Sequence, residues 1–453
     1  MKAVDGIVQG TLKEGLPIRN VSTDTRTLEN SDIFFALKGP HFNGHDFIKE
    51  AAAKGALHVV VSDLEAIPAD LRTRLNVIFV DDTIRAYGDL ARYYRQKFKI
   101  PVVAVTGSCG KTTVKELLAH LLSQHFKVLK NKGTENNLIG VPKTIFALDT
   151  THQVLVLEIG TSLPGEISRL ASIISPQIAV VTQIGAAHLE GLKDLEAVRE
   201  EKLSLRAHLS RGGTLILNGD DPMLADAASG VHKVLYAAIE KTDADLRACE
   251  IWGHDKGASF SVTGGGRFDT QLIGRHNILN ILLAFLAAKE LGINYSLFEK
   301  YLPSFKPVPG RLCMKEIDGI NFIDDSYNAN PQSFRAALEI LKEFKIRDKK
   351  GVVCGDMLEL GPYAEKYHRE LGASLAEMLF DFVIAAGPLS KFVVEEALKN
   401  GFPQKKITSV KDSEEAGRLC RQIASAGDIV LVKGSRALRM EKVFECFTTS
   451  FTR

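Results

Sequence analysis

The chain has 453 residues, of which 45% are hydrophobic and 25% are charged, and this composition is typical of an ordinary globular protein. Its formal net charge is only +2, so charge alone recruits neither nucleic acid nor an acidic membrane surface. The first ten residues lack a signal-peptide pattern, the longest apolar run (281–288) is too short to span a bilayer, and the six scattered cysteines form no CxxC pair. We therefore expect a cytoplasmic protein that neither binds nucleic acid nor inserts into a membrane.

The first of about three domains that the length predicts extends over residues 1–99. A helical pattern runs from Thr83 to Phe98 and is followed by Ile100 and Pro101. Because proline disfavours a helical conformation in the residue before it, we place a domain boundary there.

The second domain, residues 100–306, opens with an apolar strand at 102–106, a glycine-rich turn, and a helix from Lys111 to about Gln124. Its later apolar runs are continuous rather than alternating, which indicates parallel strands buried on both faces. Residues 248–270 read as an antiparallel insert, and a long helix follows from His276 to about Leu291. The continuous runs lie at 154–157, 178–182 and 214–217.

The third domain, residues 307–453, begins at a proline-rich linker, 306–310. Strand and helix patterns then alternate, which predicts a second doubly wound, Rossmann-like α/β domain. The predicted segments are 321–324, 333–342, 352–355, 365–379, 382–386, 391–399 and 429–433.

The sequence TGSCGKTT, residues 106–113, lies between the first strand and the first helix of the second domain. Glycines allow backbone N–H groups to point inward, the helix start adds positive potential, Lys111 adds charge, and Thr112 can ligate Mg²⁺. A plain glycine-rich turn is the alternative, and the usual spacing would place glycine where this chain has Val105. We expect ATP phosphates and Mg²⁺ here. The predicted phosphate-binding residues are Gly107, Ser108, Cys109, Gly110, Lys111, Thr112 and Thr113.

This short loop resembles the phosphate loop of the Mur ligases and of their folylpolyglutamate synthase relatives. Further motifs follow in that family's order, so the resemblance extends over essentially the whole chain. They are EIG at 158–160, AHLEG at 187–191, Lys202, NGDDP at 218–222 and GRHNILN at 274–280.

Three later stretches are similar to the branch of the family that adds D-alanyl-D-alanine to UDP-N-acetylmuramoyl-tripeptide. They are DDSYNANP at 324–331, VCGDMLELG at 353–361 and VKGSR at 432–436. The Asp-Asn-Pro-Arg signature of the diaminopimelate-adding branch is absent. STDTR at 22–26 resembles the family's UDP-binding domain, which implies a small N-terminal α/β domain of that kind. Cys109 departs from the expected Asn, Ser or Thr, at a position expected to contribute mainly backbone. The implied substrate-binding residues are Ser22, Asp24, Thr25, Arg26, Asn136 and Asn137.

The resemblance implies that the tripeptide carboxylate attacks ATP, that an acyl phosphate forms, and that the amine of the dipeptide displaces phosphate. It assigns catalytic or metal-binding roles to Lys111, Thr112, Glu158, His188 and Lys202, and the lysine at position 202 would be carbamylated to support a second Mg²⁺. Without the resemblance, Glu158 would be interpreted as a surface carboxylate, His188 as a loop histidine and Lys202 as a solvated lysine on a helix face. If the segment is helical, Arg199 and Arg206 flank Lys202 on one face.

The same resemblance places Asn277 and Asn280 beside adenine, Arg311 at the γ-phosphate and Asp325 at the ribose, although buried capping amides would give the same asparagine pattern. The pair Asn136–Asn137 also reads as a polar turn.

Two alternative functions remain from the sequence. Another ligase of the superfamily, including one adding glutamate to a folate, is disfavoured by the UDP-like N-terminal region. A regulatory or motor ATPase would usually place a Walker B aspartate where this chain has Glu158.

The sequence does not determine whether the third residue of the acceptor peptide is lysine or diaminopimelate, and a monomer is the default expectation. The dipeptide pocket is not assigned, although Asn328, Asn330 and the loop near Asp356 are candidates.

Overall fold

The computed structural model describes residues 4, 6–9, 16, 18–39, 42–254 and 256–448. Three separate β-sheets of five, nine and six strands follow one another along the chain. Each sheet packs against helices, so the predicted three-domain α/β fold is confirmed.

The N-terminal sheet has the order β1-β5-β4-β3-β2, and only β1 runs antiparallel to its neighbour. Helix α3 begins after Asp82, whose carboxylate accepts hydrogen bonds from the first-turn N–H groups. Its Tyr87 ring contacts both Phe35 of this sheet and Phe146 of the next domain. The elements are β1 (Ile7–Gln9), β2 (Val21–Ser22), β3 (Ile33–Phe35), α1 (Ile48–Ala53), β4 (His58–Val61), α2 (Ala69–Arg72), β5 (Asn76–Phe79) and α3 (Thr83–Arg95).

The central sheet has the order β14-β13-β12-β11-β10-β9-β6-β8-β7. Strands β6 to β12 pair in parallel, and β12, β13 and β14 pair antiparallel, which confirms the predicted insert. The elements are β6 (Val102–Thr106), α4 (Lys111–Leu122), β7 (Val128–Lys130), α5 (Gly140–Phe146), β8 (Val154–Glu158), α6 (Glu166–Ile174), β9 (Ile178–Val181), α7 (Leu189–Leu192), α8 (Leu195–Leu203), β10 (Thr214–Asn218), β11 (Lys233–Ala238), β12 (Leu246–His254), β13 (Gly257–Val262), β14 (Arg267–Thr270), α9 (Arg275–Glu290) and α10 (Tyr295–Tyr301).

The C-terminal sheet has the order β15-β16-β20-β17-β18-β19, with β15 antiparallel and the others parallel. A capping box formed by Asn330 and Ser333 starts α11. The elements are β15 (Cys313–Ile317), β16 (Ile320–Asp325), α11 (Pro331–Glu343), β17 (Lys350–Gly355), α12 (Ala364–Met378), β18 (Phe382–Ala386), α13 (Ser390–Lys399), β19 (Ile407–Val410), α14 (Ser413–Ile423), β20 (Ile429–Lys433) and α15 (Lys442–Thr448).

The carboxyl ends of the buried parallel strands position the site. Strand β6 leads into the phosphate loop, β8 ends at Glu158, and β16 ends at Asp325, as expected for ligand-binding groups of open α/β sheets. Across the described ranges, no helix is long and apolar enough to cross a membrane.

Candidate active site

The phosphate loop depends on two glycines with left-handed backbone. Gly107 has φ +144° and Gly110 has φ +85°, conformations that favour glycine. A Cβ at Gly107 would lie 2.0 Å from Thr182 Oγ1, and one at Gly110 would lie 2.3 Å from Asn280 Oδ1. The loop therefore packs against α9 and the residue that follows β9 too closely for any side chain at either position.

Lys111 is the first residue of α4, and its Nζ donates to the Gly107 carbonyl at 2.7 Å. The ammonium thus folds back over the loop. Burial lowers the pKa of Lys111, the charge of Glu158 acts in the opposite direction, and Arg311 of the C-terminal domain lowers it further. The loop therefore gathers cations from two domains.

A cavity of about 430 Å³ opens at this loop, and residues of the central and C-terminal domains line it. Its C-terminal wall includes Tyr327, Leu358, Glu359 and Arg436. The sequence-predicted residues that line it are Ser108, Cys109, Gly110, Lys111, Thr112, Thr113, Asn136, Asn137, Glu158, His188 and Arg311.

A second cavity of about 160 Å³ adjoins the first and shares with it, among other residues, Ser108, Cys109 and Gly110 of the loop. Asn277, Asn280 and Asp325 line it. The Asn280 amide donates to Asn277 Oδ1 at 3.0 Å, and Asn277 donates to the carbonyl of Ile273 at 2.9 Å. Both asparagines are buried, so their amides already hold one another in place.

Glu158 is held by a dense polar network. Its Oε2 accepts from the Thr112 hydroxyl at 2.8 Å, and its Oε1 accepts from Asn136 Nδ2 at 2.7 Å. The Asn131 side chain bonds both the N–H and the carbonyl of Glu158 at 3.0 Å. Asn137, by contrast, uses its side-chain oxygen to accept the N–H groups of residues 139 and 140, which is a local turn contact.

His188 and Glu359 form a hydrogen bond between domains. The distance from His188 Nδ1 to Glu359 Oε2 is 2.5 Å, and this bond to His188 lowers the pKa of the Glu359 carboxyl. Glu359 lies in the DMLELG stretch of the C-terminal domain. The sequence did not indicate that this residue pairs with His188.

Lys202 is 1% exposed in α8. Burial, and next the charge of Lys111, lower its pKa to about 7. The expectation that Arg199 and Arg206 share its helical face is wrong for Arg206, because α8 ends at Leu203 and a 3₁₀ turn follows. Arg199 is paired with Glu196, Glu200 and Asp226, so Lys111 is the cation that acts on Lys202. Within the described chain, Lys202 lines neither cavity.

Asp325 is buried and bound to Lys433, with 2.5 Å between Oδ2 and Nζ. Its other oxygen accepts from the N–H of Leu312 at 3.2 Å. Burial raises the pKa of Asp325, and Lys433 opposes that rise. Tyr327 lies nearby, with the Arg311 guanidinium 4.2 Å and the Arg436 guanidinium 5.5 Å from its ring centroid.

The side chain of Cys109 contacts the C-terminal domain. Its Sγ lies 3.3 Å from Oδ1 and 3.1 Å from Nδ2 of Asn330 in the C-terminal domain. The side chain therefore adds a contact between domains, because the loop faces the start of α11, while the main-chain role expected at this position stays a prediction.

The predicted N-terminal residues lie apart from both described cavities. Asp24 and Arg26 pair with each other at 2.7 Å, and this bond lowers the pKa of Asp24 to about 2. Ser22 Oγ donates to the Asp24 carbonyl at 3.1 Å, and Lys54 donates to the carbonyl of Thr25 at 2.7 Å. The charge of Lys143 also acts on Asp24, so this turn faces the central domain.

Two buried lysines were given no role in the sequence analysis, although Lys433 lies in the VKGSR stretch. Lys115 Nζ donates to the carbonyls of Asn131 and Gly133 and lies 4.0 Å from Glu158 Oε2. Lys433 joins Asp325 to the carbonyl of Asn328. For Lys115, the signal in the sequence was its position one helical turn after Lys111.

The donor set fits a nucleotide-bound Mg²⁺. In the part of the chain that the structure describes, no three His, Cys, Asp or Glu side chains lie close enough to hold a metal by themselves. Mg²⁺ is usually bound by one or two carboxylates, with water and substrate phosphates as the other ligands. The adjoining hydroxyl of Thr112 and carboxylate of Glu158, next to a phosphate loop and with His188 in the same cavity, match that requirement.

Comparisons with known proteins agree with this geometry. Models of the Mur ligase family match residues 17–95 (catalytic domain), 105–288 (middle domain) and 310–436 (glutamate ligase domain). The UDP-N-acetylmuramoyl-tripeptide–D-alanyl-D-alanine ligase of Bacillus subtilis is 34% identical over 98% of this chain and 97% of its own. The enzyme of the same name from Escherichia coli is 35% identical, over 97% and 95% of the two chains.

A solved structure gives the same result for the fold. The MurF ligase of Thermotoga maritima in complex with ADP has a TM-score of 0.85 and 30% identity, and the match covers 96% of this chain and 98% of that one. Sequence motifs, site geometry and full-length similarity therefore agree, and the chain belongs to the Mur ligase family.

Proposed function

We propose that the protein is an ATP-dependent ligase that joins D-alanyl-D-alanine to the C-terminal carboxylate of UDP-N-acetylmuramoyl-tripeptide. The product would be the pentapeptide precursor of peptidoglycan, released with ADP and phosphate. The observation that carries this function is the cavity of about 430 Å³ that the phosphate loop and the C-terminal wall line together. Full-length relatives with this named activity support the choice of substrates.

The chemistry brings two anions together, so fixed positive charge is the main requirement. The tripeptide carboxylate attacks the γ-phosphoryl group of ATP and gives an acyl phosphate, and the dipeptide amine then displaces phosphate. Lys111 and Arg311 supply cations from opposite walls, and the phosphate-loop N–H groups of residues 107–113 bind the phosphates. Thr112, Glu158 and His188 would hold Mg²⁺. The metal would add charge neutralisation at the transferred phosphoryl group.

Lys202 is proposed to carry the carbamate implied by the family resemblance. Its burial and its pKa of about 7 make the neutral amine available at physiological pH, and that amine can form an N–C bond with CO₂ and release a proton. The resulting anion would support a second Mg²⁺ and relieve the repulsion from Lys111. Intact-mass measurement should show one added CO₂ that disappears in CO₂-depleted buffer, and a mass that never changes would return Lys202 to an unmodified role.

The remaining assignments concern the nucleotide base, the ribose and the UDP-sugar. Asn277 and Asn280 would face adenine and Asp325 the ribose, with Lys433 orienting the carboxylate. Asn136 and Asn137, together with Ser22, Asp24, Thr25 and Arg26, would bind the UDP-sugar side.

We propose the domain limits 1–99, 100–306 and 307–453, because each range contains one of the three sheets. We also propose a cytoplasmic monomer; residues of a single chain line both cavities.

The decisive experiment is phosphate release with each substrate omitted in turn. A ligase of this kind releases phosphate from ATP only when both the UDP-tripeptide and the dipeptide are present. Release that needs ATP alone would support a regulatory or motor ATPase instead. Running the same assay with lysine- and diaminopimelate-containing acceptors identifies the third residue of the peptide.

A further inference from the structure

The hydrogen bond between His188 and Glu359 joins two strained backbone positions. His188 has φ 57° and Glu359 has φ 62°, so both residues occupy the left-handed region that residues with side chains disfavour. Strain of this kind persists only where the surrounding structure fixes it, and it is concentrated at functional sites. Here it occurs on both sides of a single contact between domains.

A second contact fixes the same two loops independently of the carboxylate. The N–H of Glu190 donates to the Glu359 carbonyl at 3.1 Å. Gly361 has φ +52°, and a Cβ there would lie 3.2 Å from the Cα of Glu190. The main chains therefore meet closely, so the two loops should stay docked when the Glu359 side chain is shortened.

His188 lines the cavity, and its hydrogen bond to Glu359 engages one of the two ring nitrogens. Because an ionised carboxylate oxygen only accepts, the 2.5 Å contact places a proton on Nδ1 and leaves Nε2 as the ring nitrogen that can bind a metal. Among the described residues, the ring makes no other side-chain hydrogen bond. A carboxylate that orients a histidine in this way is the usual support of a metal-ligating imidazole.

We propose that Glu359 is a positioning residue for the metal site: it holds His188 with Nε2 toward the cavity. The C-terminal domain thereby completes a metal site that is built on the central domain. This inference rests on the metal role that the proposed function gives to His188. If the inference is right, metal affinity depends on Glu359, which is 171 positions from His188 in the chain.

Direct metal binding tests this inference without using turnover. Mn²⁺ affinity is measured by electron paramagnetic resonance in the presence of a non-hydrolysable ATP analogue. Glu359→Ala should weaken Mn²⁺ binding about 10- to 100-fold. Glu359→Gln should weaken Mn²⁺ binding less than Glu359→Ala does, because the glutamine amide oxygen still accepts a hydrogen bond from Nδ1–H. Glu190→Ala is the matched control, since it removes a neighbouring exposed carboxylate and keeps the N–H that bonds Glu359. Its affinity should stay within about twofold of the parent protein.

The outcomes separate this proposal from the alternatives. If Glu359→Ala binds Mn²⁺ as tightly as the parent protein, the proposal is wrong. Lost turnover with unchanged Mn²⁺ affinity and a shifted pH profile would overturn it in favour of a proton-transfer role for the pair. Restoration of Glu359→Ala turnover by excess Mg²⁺ would support it. Unchanged Mn²⁺ affinity in His188→Ala would also overturn it, whereas the ligase assignment is judged separately by product formation. Melting temperatures without metal verify that each variant is folded.

Discussion

Replacing Lys115 with Met tests whether the buried network behind the phosphate loop stabilises the central domain. Lys115 is 0% exposed. Its Nζ donates to the carbonyls of Asn131 at 3.0 Å and Gly133 at 2.7 Å, and it lies 2.9 Å from a Glu116 oxygen and 4.0 Å from Glu158 Oε2. Lys115→Met keeps the length of the side chain but leaves carboxylates and carbonyls without their cation. Breaking a buried pair from one side costs about 3–5 kcal/mol, and we expect a loss of that size.

Lys130→Met is the matched control, because Lys130 pairs with the same Glu116 but is 40% exposed. An exposed ion pair contributes about 0–1 kcal/mol, so the free energy of unfolding of Lys130→Met should stay close to that of the parent protein. Urea denaturation followed by circular dichroism gives the free energy of unfolding of each variant. ATP-analogue binding should weaken only in Lys115→Met, since Glu158 loses a neighbour. Equal losses in the two variants would refute the reasoning, because burial would then contribute nothing to the strength of the network.

Three further predictions concern the loop and Lys202. Lys111→Ala should abolish ligation but leave UDP-sugar binding intact, measured by product formation and calorimetry; near-normal turnover would contradict the phosphate-loop assignment. Gly110→Ala should abolish binding of a fluorescent ATP analogue, since its φ of +85° and the Cβ contact of 2.3 Å with Asn280 Oδ1 leave no room for a methyl group. Burial lowers the pKa of Lys202 to about 7, so above pH 7 the unfolded state binds more protons there. In CO₂-free buffer, the free energy of unfolding of the parent protein should therefore rise by about 2 kcal/mol relative to Lys202→Met between pH 7 and 9; a flat difference would contradict this.

The central domain was largely predictable because its signals are local. Continuous apolar runs identified β6, β8, β9 and β10 to within a residue or two, and the glycine-rich turn identified the start of α4. Strand β19 was missed because it lies at the sheet edge and exposes its central Thr408 and Ser409. A short half-polar strand of this kind has no apolar run that distinguishes it from a loop.

Site residues were predictable where they belong to a sequence motif. They were not predictable where their role depends on a contact with a residue far away in the chain. Glu158 and His188 stand in motifs at the ends of strands, so the resemblance located them. Lys433 contacts Asp325 only because β20 lies next to β16 in the sheet, although 108 positions separate the two residues. A single sequence does not determine strand order, so neither this pair nor the pairing of Glu359 with His188 could be read from it.

Three loops of the central domain make polar contacts with the C-terminal domain. Cys109 meets Asn330, Thr134 meets Tyr327, and the N–H of Ala186 donates to Gln332 at 3.0 Å. Each contact pairs a loop of the central domain with the beginning of α11 or the segment just before it, so the wall of the cavity forms only when the domains meet. An acyl phosphate is lost if water reaches it before the amine does, and closing a site around such an intermediate is a general way to exclude water. In this chain the phosphate loop itself makes one of these contacts, through Cys109. We therefore expect ATP binding at this loop to favour the closed arrangement that excludes water.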